Sequence, residues 1–377
     1  MDSNEITDLL ETFDRKVIVE HDKQQRAAQE LYAVARYSPE VTTIVLTGPT
    51  GAGKTTMLEI FCKDYLSSLK SVLEAEPSRR PLAYATAQAS GYRSFDWKTL
   101  YVDTMDSYGD PFTPVRLRKV IPTNITRPRP DEPLSQAKLR WQCEQGLIEH
   151  KTWLWIIDEA QRLLRGGHSG KPADQCDVLQ SIAQKTGVRQ LLCGPPDLPD
   201  FMAASGQLSR RSRLIGLNRY AFHDSKELMH LADAMNQILA GLPSKPGFPA
   251  VDKNIRLYYT GCLGCVGIFK DWTARAYANM LAQGRAMLRL RDFQETRMPA
   301  NALAKIHAEA ARFEELYFDN RHRDEIALRR AIFGDGTPDT LKANRKTHAV
   351  TPTPNRSIGN RAPIRDSVPH SMMGGMQ

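Results

Sequence analysis

The first fifty positions of this chain show two helical patterns followed by a strand pattern. Between residues 5 and 14, and again between 23 and 36, apolar side chains recur every three or four positions, which predicts two amphipathic helices. Residues 43–47 are rich in β-branched side chains and predict a short strand that runs directly into a glycine-rich segment. The chain therefore begins with helices and then enters a strand–loop–helix unit.

The middle of the chain alternates between strand and helix patterns. Helices are predicted over 55–71, 135–149 and 178–184, and strands over 81–86, 153–157, 188–193 and 214–217. Residues 103–133 are rich in Pro, Thr and Arg, and predict an extended insertion. From about residue 224 to 333 the pattern is helical. This order predicts an α/β fold, with a central parallel sheet flanked by helices and followed by an α-helical lid.

These patterns divide the chain into four predicted regions. They are N-terminal helices (1–40), an α/β core (41–223), a lid with C-terminal helices (224–335), and a basic tail (336–377). From Leu341 onward six cationic side chains oppose the single carboxylate of Asp366, and prolines and small polar residues fill the rest. Such a composition predicts a disordered tail.

Overall composition narrows the class of protein. The net charge of +8 suggests an anionic partner. No apolar run approaches the ~20 residues that a membrane span needs, and the acidic N-terminus does not resemble a signal peptide. We therefore expect a cytoplasmic protein without a membrane partner. Cys262 and Cys265 form a C-x-x-C pair, which is interpreted as two small residues in a tight turn, with zinc or redox chemistry as the alternative.

The glycine-rich segment GPTGAGKT, from Gly48 to Thr55, matches the G-x-x-x-x-G-K-[ST] phosphate loop, or P-loop. Glycines let successive backbone N–H groups point at phosphate oxygens, and the following helix adds its positive N-terminal end. Lys54 can reach the β- and γ-phosphates, and the Thr55 hydroxyl can ligate Mg²⁺. The sequence therefore predicts ATP and Mg²⁺ as ligands, bound by Gly48, Pro49, Thr50, Gly51, Ala52, Gly53, Lys54, Thr55 and Thr56.

A second acidic motif follows the predicted strand at 153–157. The sequence LWIIDEA delivers Asp158 and Glu159 at the carboxyl end of an apolar strand. We expect Asp158 to hold Mg²⁺, directly or through water, and Glu159 to orient and deprotonate an attacking water. A chain that carries both motifs is predicted to hydrolyse ATP.

Hydrolysis in P-loop enzymes can also require an arginine from a neighbouring subunit. The segment LSRRSRL offers three candidates at the end of a helical stretch: Arg210, Arg211 and Arg213. The alternative interpretation is a solvated basic helix end that complements the helix dipole.

Several segments together resemble the AAA+ ATPases, and more narrowly the TniB/TnsC group of transposition regulators. The resemblance spans roughly residues 17–290 and is carried by TGPTGAGKTT (47–56), WIIDEAQRLL (155–164), LLCGPPDLPDF (191–201), GQLSRRSRL (206–214) and TGCLGCVGIFKDW (260–272). It implies rings or helical filaments that form on DNA with ATP bound and link a target-selection protein to a transposase. Hydrolysis would then disassemble them. The chain departs from the family at Cys193, where a polar sensor is usual, and at Lys270, where an arginine is common.

A DNA-bound assembly requires basic residues on loops of the core. The candidates after the second strand are Arg93, Lys98, Arg116, Arg118 and Lys119, which could follow phosphates without reading bases. The alternative is scattered surface charge. No sequence-reading module is visible, so binding to double-stranded DNA should tolerate any sequence.

Other functions remain open at this point. An AAA+ ATPase of the secretion-associated or origin-recognition type would share most of these motifs and act without a transposase. A small-molecule kinase also carries a P-loop, but it would usually lack the Asp-Glu pair, the arginine segment and the helical lid.

Overall fold

The computed structural model describes residues 3–89, 95–108, 135–164, 172–199 and 210–315, together with Arg330 and Ile332. Contacts divide the chain into two compact units, Met1–Arg321 and His322–Gln377. All the strands and helices given below lie in the first unit.

Five strands and twelve helices are described, and they are numbered here in chain order. The strands are β1 (Thr43–Thr47), β2 (Leu82–Thr86), β3 (Leu154–Asp158), β4 (Arg189–Gly194) and β5 (Ser212–Gly216). The helices before β5 are α1 (Ser3–Lys16), α2 (Asp22–Tyr37), α3 (Lys54–Ser68), α4 (Lys70–Ala75), α5 (Trp97–Asp106), α6 (Gln136–Glu149) and α7 (Pro172–Thr186). The helices after it are α8 (Ser225–Ala240), α9 (Val251–Cys262), α10 (Val266–Ala282), α11 (Leu290–Thr296) and α12 (Ala300–Glu314), and a 3₁₀ turn covers Ala160–Leu164.

The five strands form one parallel sheet in the order β2-β3-β4-β1-β5. Because parallel strands all end at the same edge, the residues that follow β1, β3 and β4 lie side by side there. The glycine-rich loop follows β1 and the Asp-Glu pair closes β3, with β4 between them. The topology thus brings together two motifs that lie about a hundred residues apart in sequence.

Alternate side chains of each strand enter different cores, as the pleat of a strand requires. On one face, Trp155 and Ile157 of β3 pack in a cluster with side chains from α5, α6 and α7. On the other face, Leu154 and Ile156 pack with side chains from α2 and α3. Both faces of the sheet are covered, which explains why its central strands read as continuous apolar runs.

A third core lies within the helices that follow the sheet. Side chains from α8, α9, α10 and α11 bury one another there, and Phe13 and Val17, in and just after α1, join them. Helix α1 therefore packs on the lid, mainly against α10. No helix of the described segments has the length and apolarity to cross a membrane.

The predicted fold class is confirmed, but one local prediction is wrong. The helix predicted from Thr55 to about Ser71 is present as α3, which ends at Ser68, and after Leu69 the chain continues as α4. Part of the segment predicted as an extended insertion is instead helical, since α5 runs to Asp106. Its N-cap, Asp96, accepts from the amides of Lys98 and Thr99 at 3.0 and 3.4 Å. The rest of that predicted insertion lies largely outside the described residues.

The C-x-x-C pair lies in a tight, buried turn between two helices. Cys262 ends α9 and Cys265 precedes α10, and both are buried thiols in a turn with Leu263 and Gly264 at positive φ. Burial raises the pKa of each thiol to about 12. Within the described segments no cluster of three or more His, Cys, Asp or Glu side chains has the arrangement of a metal site. The interpretation as small residues in a tight turn is therefore confirmed for this pair.

The buried indole of Trp155 offers a test of the core. It is fully buried, and its Nε1 donates to the Thr104 hydroxyl at 3.1 Å. We expect Trp155→Ala to lower the free energy of unfolding by about 3–5 kcal/mol, because it leaves a cavity and removes the donor to the buried Thr104 hydroxyl. The matched control is Trp141→Ala, since Trp141 is 56% exposed, and its effect should stay within about 0.5 kcal/mol. Urea denaturation of both variants measures the difference, and equal losses would contradict this account of the core.

Candidate nucleotide site

The P-loop connects the end of β1 to the start of α3 through two glycines in unusual backbone conformations. Gly51 has a φ of 77° and Gly53 a φ of 91°, a region that side-chain-bearing residues rarely adopt. Gly53 is also the residue that precedes the first turn of α3. The loop is therefore wound tightly around the N-terminal end of a helix, where unpaired amides can receive an anion.

The P-loop is also held closely by its neighbours. A Cβ on Gly48 would lie 2.2 Å from the carbonyl oxygen of Leu217, and one on Gly51 would lie 2.5 Å from Cγ1 of Ile268. The Gly51 carbonyl accepts from the Gly267 amide, in the first turn of α10, at 2.8 Å. The lid and the phosphate loop are thus in direct backbone contact.

Lys54 folds back onto the loop that it follows. Its ammonium donates to the carbonyls of Gly48 at 2.8 Å and Pro49 at 3.1 Å. Burial lowers the pKa of Lys54, and nearby groups that include Asp158 act in the opposite direction without cancelling the effect. A half-buried cation whose hydrogen bonds, among the described residues, go to backbone carbonyls is well placed to accept an anionic ligand.

The acidic pair lies at the end of β3, as the topology requires. The Asp158 carboxylate accepts from the Tyr84 hydroxyl at 3.1 Å through Oδ2 and from the Glu159 amide at 2.8 Å through Oδ1. These two bonds fix the orientation of the carboxylate, which lines the cavity beside the P-loop. Neither oxygen is saturated, because each carboxylate oxygen can accept more than one bond, so Asp158 and the exposed Thr55 hydroxyl fit an Mg²⁺ site.

Glu159 has an unusual backbone conformation and two side-chain contacts. Its φ is 53°, a left-handed conformation that is rare for a residue with a Cβ and is often found at functional sites. Its Oε2 accepts from the Gln161 amide at 2.7 Å and lies 3.7 Å from the Arg162 guanidinium. The side-chain oxygen Oε1 of Gln161 is buried and has no hydrogen-bond partner among the described residues. The carboxylate is thus positioned by residues of the following 3₁₀ turn.

One cavity of about 440 Å³ joins these groups. Its lining comes from the P-loop, the ends of β3 and β4, the lid and α1: Thr50, Gly51, Gly53, Lys54, Thr55, Thr56, Asp158, Glu159, Gln161, Gly194, Pro195, Gly267, Lys270, Asp271 and Asp14. The predicted residues Lys54, Thr55, Asp158 and Glu159 are therefore brought together. The other side chains in or beside the cavity include Tyr84, Gln161, Lys270 and Asp14.

Cys193 lies near the end of β4, between the strand that precedes the P-loop and the strand that carries Asp158. Its thiol is fully buried. Burial raises the pKa of the thiol well above its ordinary value, and the neighbouring Asp158 adds to this effect. The thiol therefore stays protonated and can act only as a weak hydrogen-bond donor.

The three candidate arginines lie far from this cavity. Arg210, Arg211 and Arg213 are all exposed, and Arg213 lies within β5 rather than before it. The Arg211 carbonyl accepts from the amides of Thr42 and Thr43, at the start of β1. The P-loop follows the other end of β1, about 13 Å away at ~3.3 Å per residue. These arginines therefore lie at the amino ends of the strands, and none of the three lines the cavity of its own chain.

Of the candidate DNA contacts, only Lys98 falls within the described residues. It is the second residue of α5 and its side chain is exposed. Arg93, Arg116, Arg118 and Lys119 lie outside the described segments.

The parallel sheet, the P-loop and the helices on both faces define the AAA+ P-loop ATPase fold. Residues 41–202 match the family model described as "AAA domain". Among solved structures, Cdc6p from Pyrobaculum aerophilum is similar at 14% identity, with a TM-score of 0.51, over 74% of this chain and 68% of that one. No curated protein matches this chain.

Two further solved structures are similar at lower TM-scores. The ADP form of the ORC2 protein of Aeropyrum pernix has 14% identity and a TM-score of 0.49, over 85% of this chain and 88% of that one. The ORC1 protein of Aeropyrum pernix in complex with DNA has 14% identity and a TM-score of 0.48, over 74% of this chain and 65% of that one.

The contact of Gly51 with the lid can be tested against a second glycine. Gly187 also has a positive φ, of 73°, but a Cβ there would meet nothing within 4 Å. Gly187→Ala should cost only the backbone strain, about 1–2 kcal/mol. Gly51→Ala should cost more, because its methyl group must also displace Ile268 of the lid. Thermal unfolding of both variants measures this, and an equal shift in Tm would show that the lid contact is not tight.

Proposed function

We propose that this chain binds ATP with Mg²⁺ and hydrolyses it. The observation that carries the proposal is the convergence of Lys54, Thr55, Asp158 and Glu159 on one cavity at the carboxyl edge of the sheet. Bound Mg²⁺ would offset the negative charge of the β- and γ-phosphates. A small-molecule kinase is a weaker alternative, because Glu159 is held in the cavity with a carboxylate that can accept a proton from water.

The chain's own residues then have separate tasks in hydrolysis. Lys54 exchanges its two carbonyl partners for phosphate oxygens, which are stronger acceptors for an ammonium group. Asp158, oriented by Tyr84, ligates the metal ion directly or through water. Glu159 orients the attacking water and accepts its proton, while Gln161 limits the rotation of the carboxylate.

We further propose that the hydrolysis cycle controls assembly on DNA in transposition. The sequence resemblance to the TniB/TnsC group supports this reading, and the placement of the three arginines supports an oligomer. They lie at the amino ends of the strands, whereas the cavity lies at the carboxyl ends, so one of them can complete the ATP site of the next subunit. The partners would be double-stranded DNA, a target-selection protein and a transposase.

An origin-recognition type of ATPase is the second candidate, and the similarity to Cdc6p is compatible with it because both would share the fold. The two candidates differ in the assembly that they predict. A transposition regulator should form rings or filaments on DNA of any sequence in the ATP state. Electron microscopy of negatively stained samples with random-sequence DNA separates them, since an origin-type protein would give isolated complexes.

The role of Glu159 gives a direct test of hydrolysis. Glu159→Gln should retain ATP binding but lower turnover by about 10²- to 10⁴-fold, because an amide cannot accept the proton from water. Lys54→Ala is the contrasting variant and should lose ATP binding, since it removes the ammonium group nearest the phosphates. Phosphate release and a fluorescent-nucleotide titration measure the two effects. Normal turnover by Glu159→Gln would rule out the assigned base.

The coupling between ATP and DNA can be tested through the arginines. Each of Arg210, Arg211 and Arg213 is changed to Ala in turn, and one change should lower ATP turnover by about 10³-fold. The same change should weaken DNA binding, although the side chain touches no DNA, because assembly multiplies many weak phosphate contacts. Arg291→Ala, at an exposed arginine of α11, is the control. Fluorescence anisotropy without nucleotide, with ADP and with an ATP analogue measures binding; equal DNA affinity in all three states would exclude this coupling.

A further inference from the structure

The nucleotide cavity contains an acidic group that a phosphate site would not require. Asp14, from the last turn of α1, lines the same cavity as Lys54 and Lys270. A carboxylate at this place repels the charge of a phosphate ligand and offers a competing acceptor to any nearby cation. The hydrogen bonds of Asp14 show which cation it engages.

Lys270 is held by Asp14 in two ways. Its ammonium lies 2.9 Å from Oδ1 of Asp14 and donates to the Asp14 carbonyl oxygen, also at 2.9 Å. It also lies 5.9 Å from the centre of the Phe13 ring. Because the last carbonyls of a helix lack helical partners and carry partial negative charge, the Lys270 ammonium acts as a cap for the end of α1.

The same lysine is anchored relative to the P-loop. Lys270 belongs to the first turn and a half of α10, and the amide of Gly267 in that turn donates to the Gly51 carbonyl at 2.8 Å. A helix is stiff over one turn, so the backbone of Lys270 keeps a constant distance from the phosphate loop. Only its side chain needs to move to exchange Asp14 for a phosphate.

We propose that Asp14 competes with the nucleotide for Lys270: it holds the lysine before nucleotide binds, and the phosphate tail of ATP then displaces it and uncaps α1. The inference rests on the proposed binding of ATP at this site. According to this proposal, the stability of the C-terminal end of α1 depends on whether a nucleotide is bound. The P-loop motif alone does not imply this dependence. Lys54 and Lys270 are then both engaged by the protein's own oxygen atoms until a phosphate replaces them.

The expected effect on affinity is modest. The Asp14 side chain is 78% exposed, and the Lys270 side chain 23% exposed, so water screens their attraction. Removing the carboxylate should therefore tighten ATP binding by about threefold to fivefold. The direction is informative, because loss of an ion pair that only stabilises the fold would leave affinity unchanged or weaken it.

The test compares Asp14→Asn with Asp8→Asn, a change at an exposed acid on the same helix that does not line the cavity. A titration with an ATP analogue that carries a fluorescent group measures the Kd of each full-length variant. We expect Asp14→Asn to bind about threefold to fivefold more tightly, and Asp8→Asn to bind like the unaltered protein. Equal affinity of the two variants would overturn the proposal.

A second background separates competition from simple repulsion. In protein carrying Lys270→Ala, the additional change Asp14→Asn should give no gain in affinity, because the shared cation is absent. A gain that persists would show that Asp14 acts only through its own charge, and would overturn the competition. These affinities test the competition only if the unaltered protein binds the ATP analogue and Lys54→Ala protein does not. If the unaltered protein fails to bind the analogue, the proposed ATP-binding function is wrong, and this result is distinct from a failure of the competition.

Hydrogen exchange measures the predicted release of α1. Saturating ATP analogue should speed amide exchange in residues 13–16 of the unaltered protein, relative to the same protein without nucleotide. Lys54→Ala protein with the same analogue should show no change. Unchanged exchange in the unaltered protein, at an analogue concentration shown to saturate the site, would mean that Asp14 keeps Lys270 after binding.

Discussion

The backbone contact between Gly51 of the P-loop and Gly267 of the lid is the constraint on which the site depends. The Gly267 amide donates to the Gly51 carbonyl at 2.8 Å, and a Cβ on Gly267 would approach that oxygen to 2.6 Å. Two glycine backbones can meet this closely only because neither carries a side chain. The contact fixes Lys270 against the phosphate loop, so a change in the conformation of the loop must be transmitted to the lid.

A second connection joins the P-loop to the lid through residues at the start of α2. The Gln24 amide donates to the Gly53 carbonyl at 2.9 Å, and the ring of the neighbouring His21 lies 3.1 Å from the Tyr220 hydroxyl. Burial lowers the pKa of His21 to about 4, so its ring is neutral at physiological pH. Tyr220 in turn binds the lid, because its amide donates to the Gly264 carbonyl at 3.0 Å. Elements before and after the sheet therefore meet at the nucleotide site.

The sequence predicted the parts of the site that depend on short-range spacing. Gly48 to Thr55 and the Asp158–Glu159 pair are each defined by a few consecutive residues, and their chemistry follows from residue type. Tyr84 could not be found in this way, because its bond to Asp158 depends on the register of β2 against β3. Asp14 depends on how α1 packs on the lid, which no local pattern records. Gln161 did offer a signal, since it lies two residues after Glu159.

The sheet also limits the kind of assembly that this chain can form. The cavity lies at the carboxyl edge of the strands, whereas Arg211 lies at the amino edge, beside the start of β1. For an arginine of one subunit to complete the site of another, two different surfaces must meet. Such a head-to-tail interface cannot close on itself as a two-fold dimer, and its repetition generates a ring or a helical filament. The proposed role of these arginines therefore requires a particular kind of assembly. Each subunit must present its ATP site to one neighbour and its arginine-bearing surface to the other.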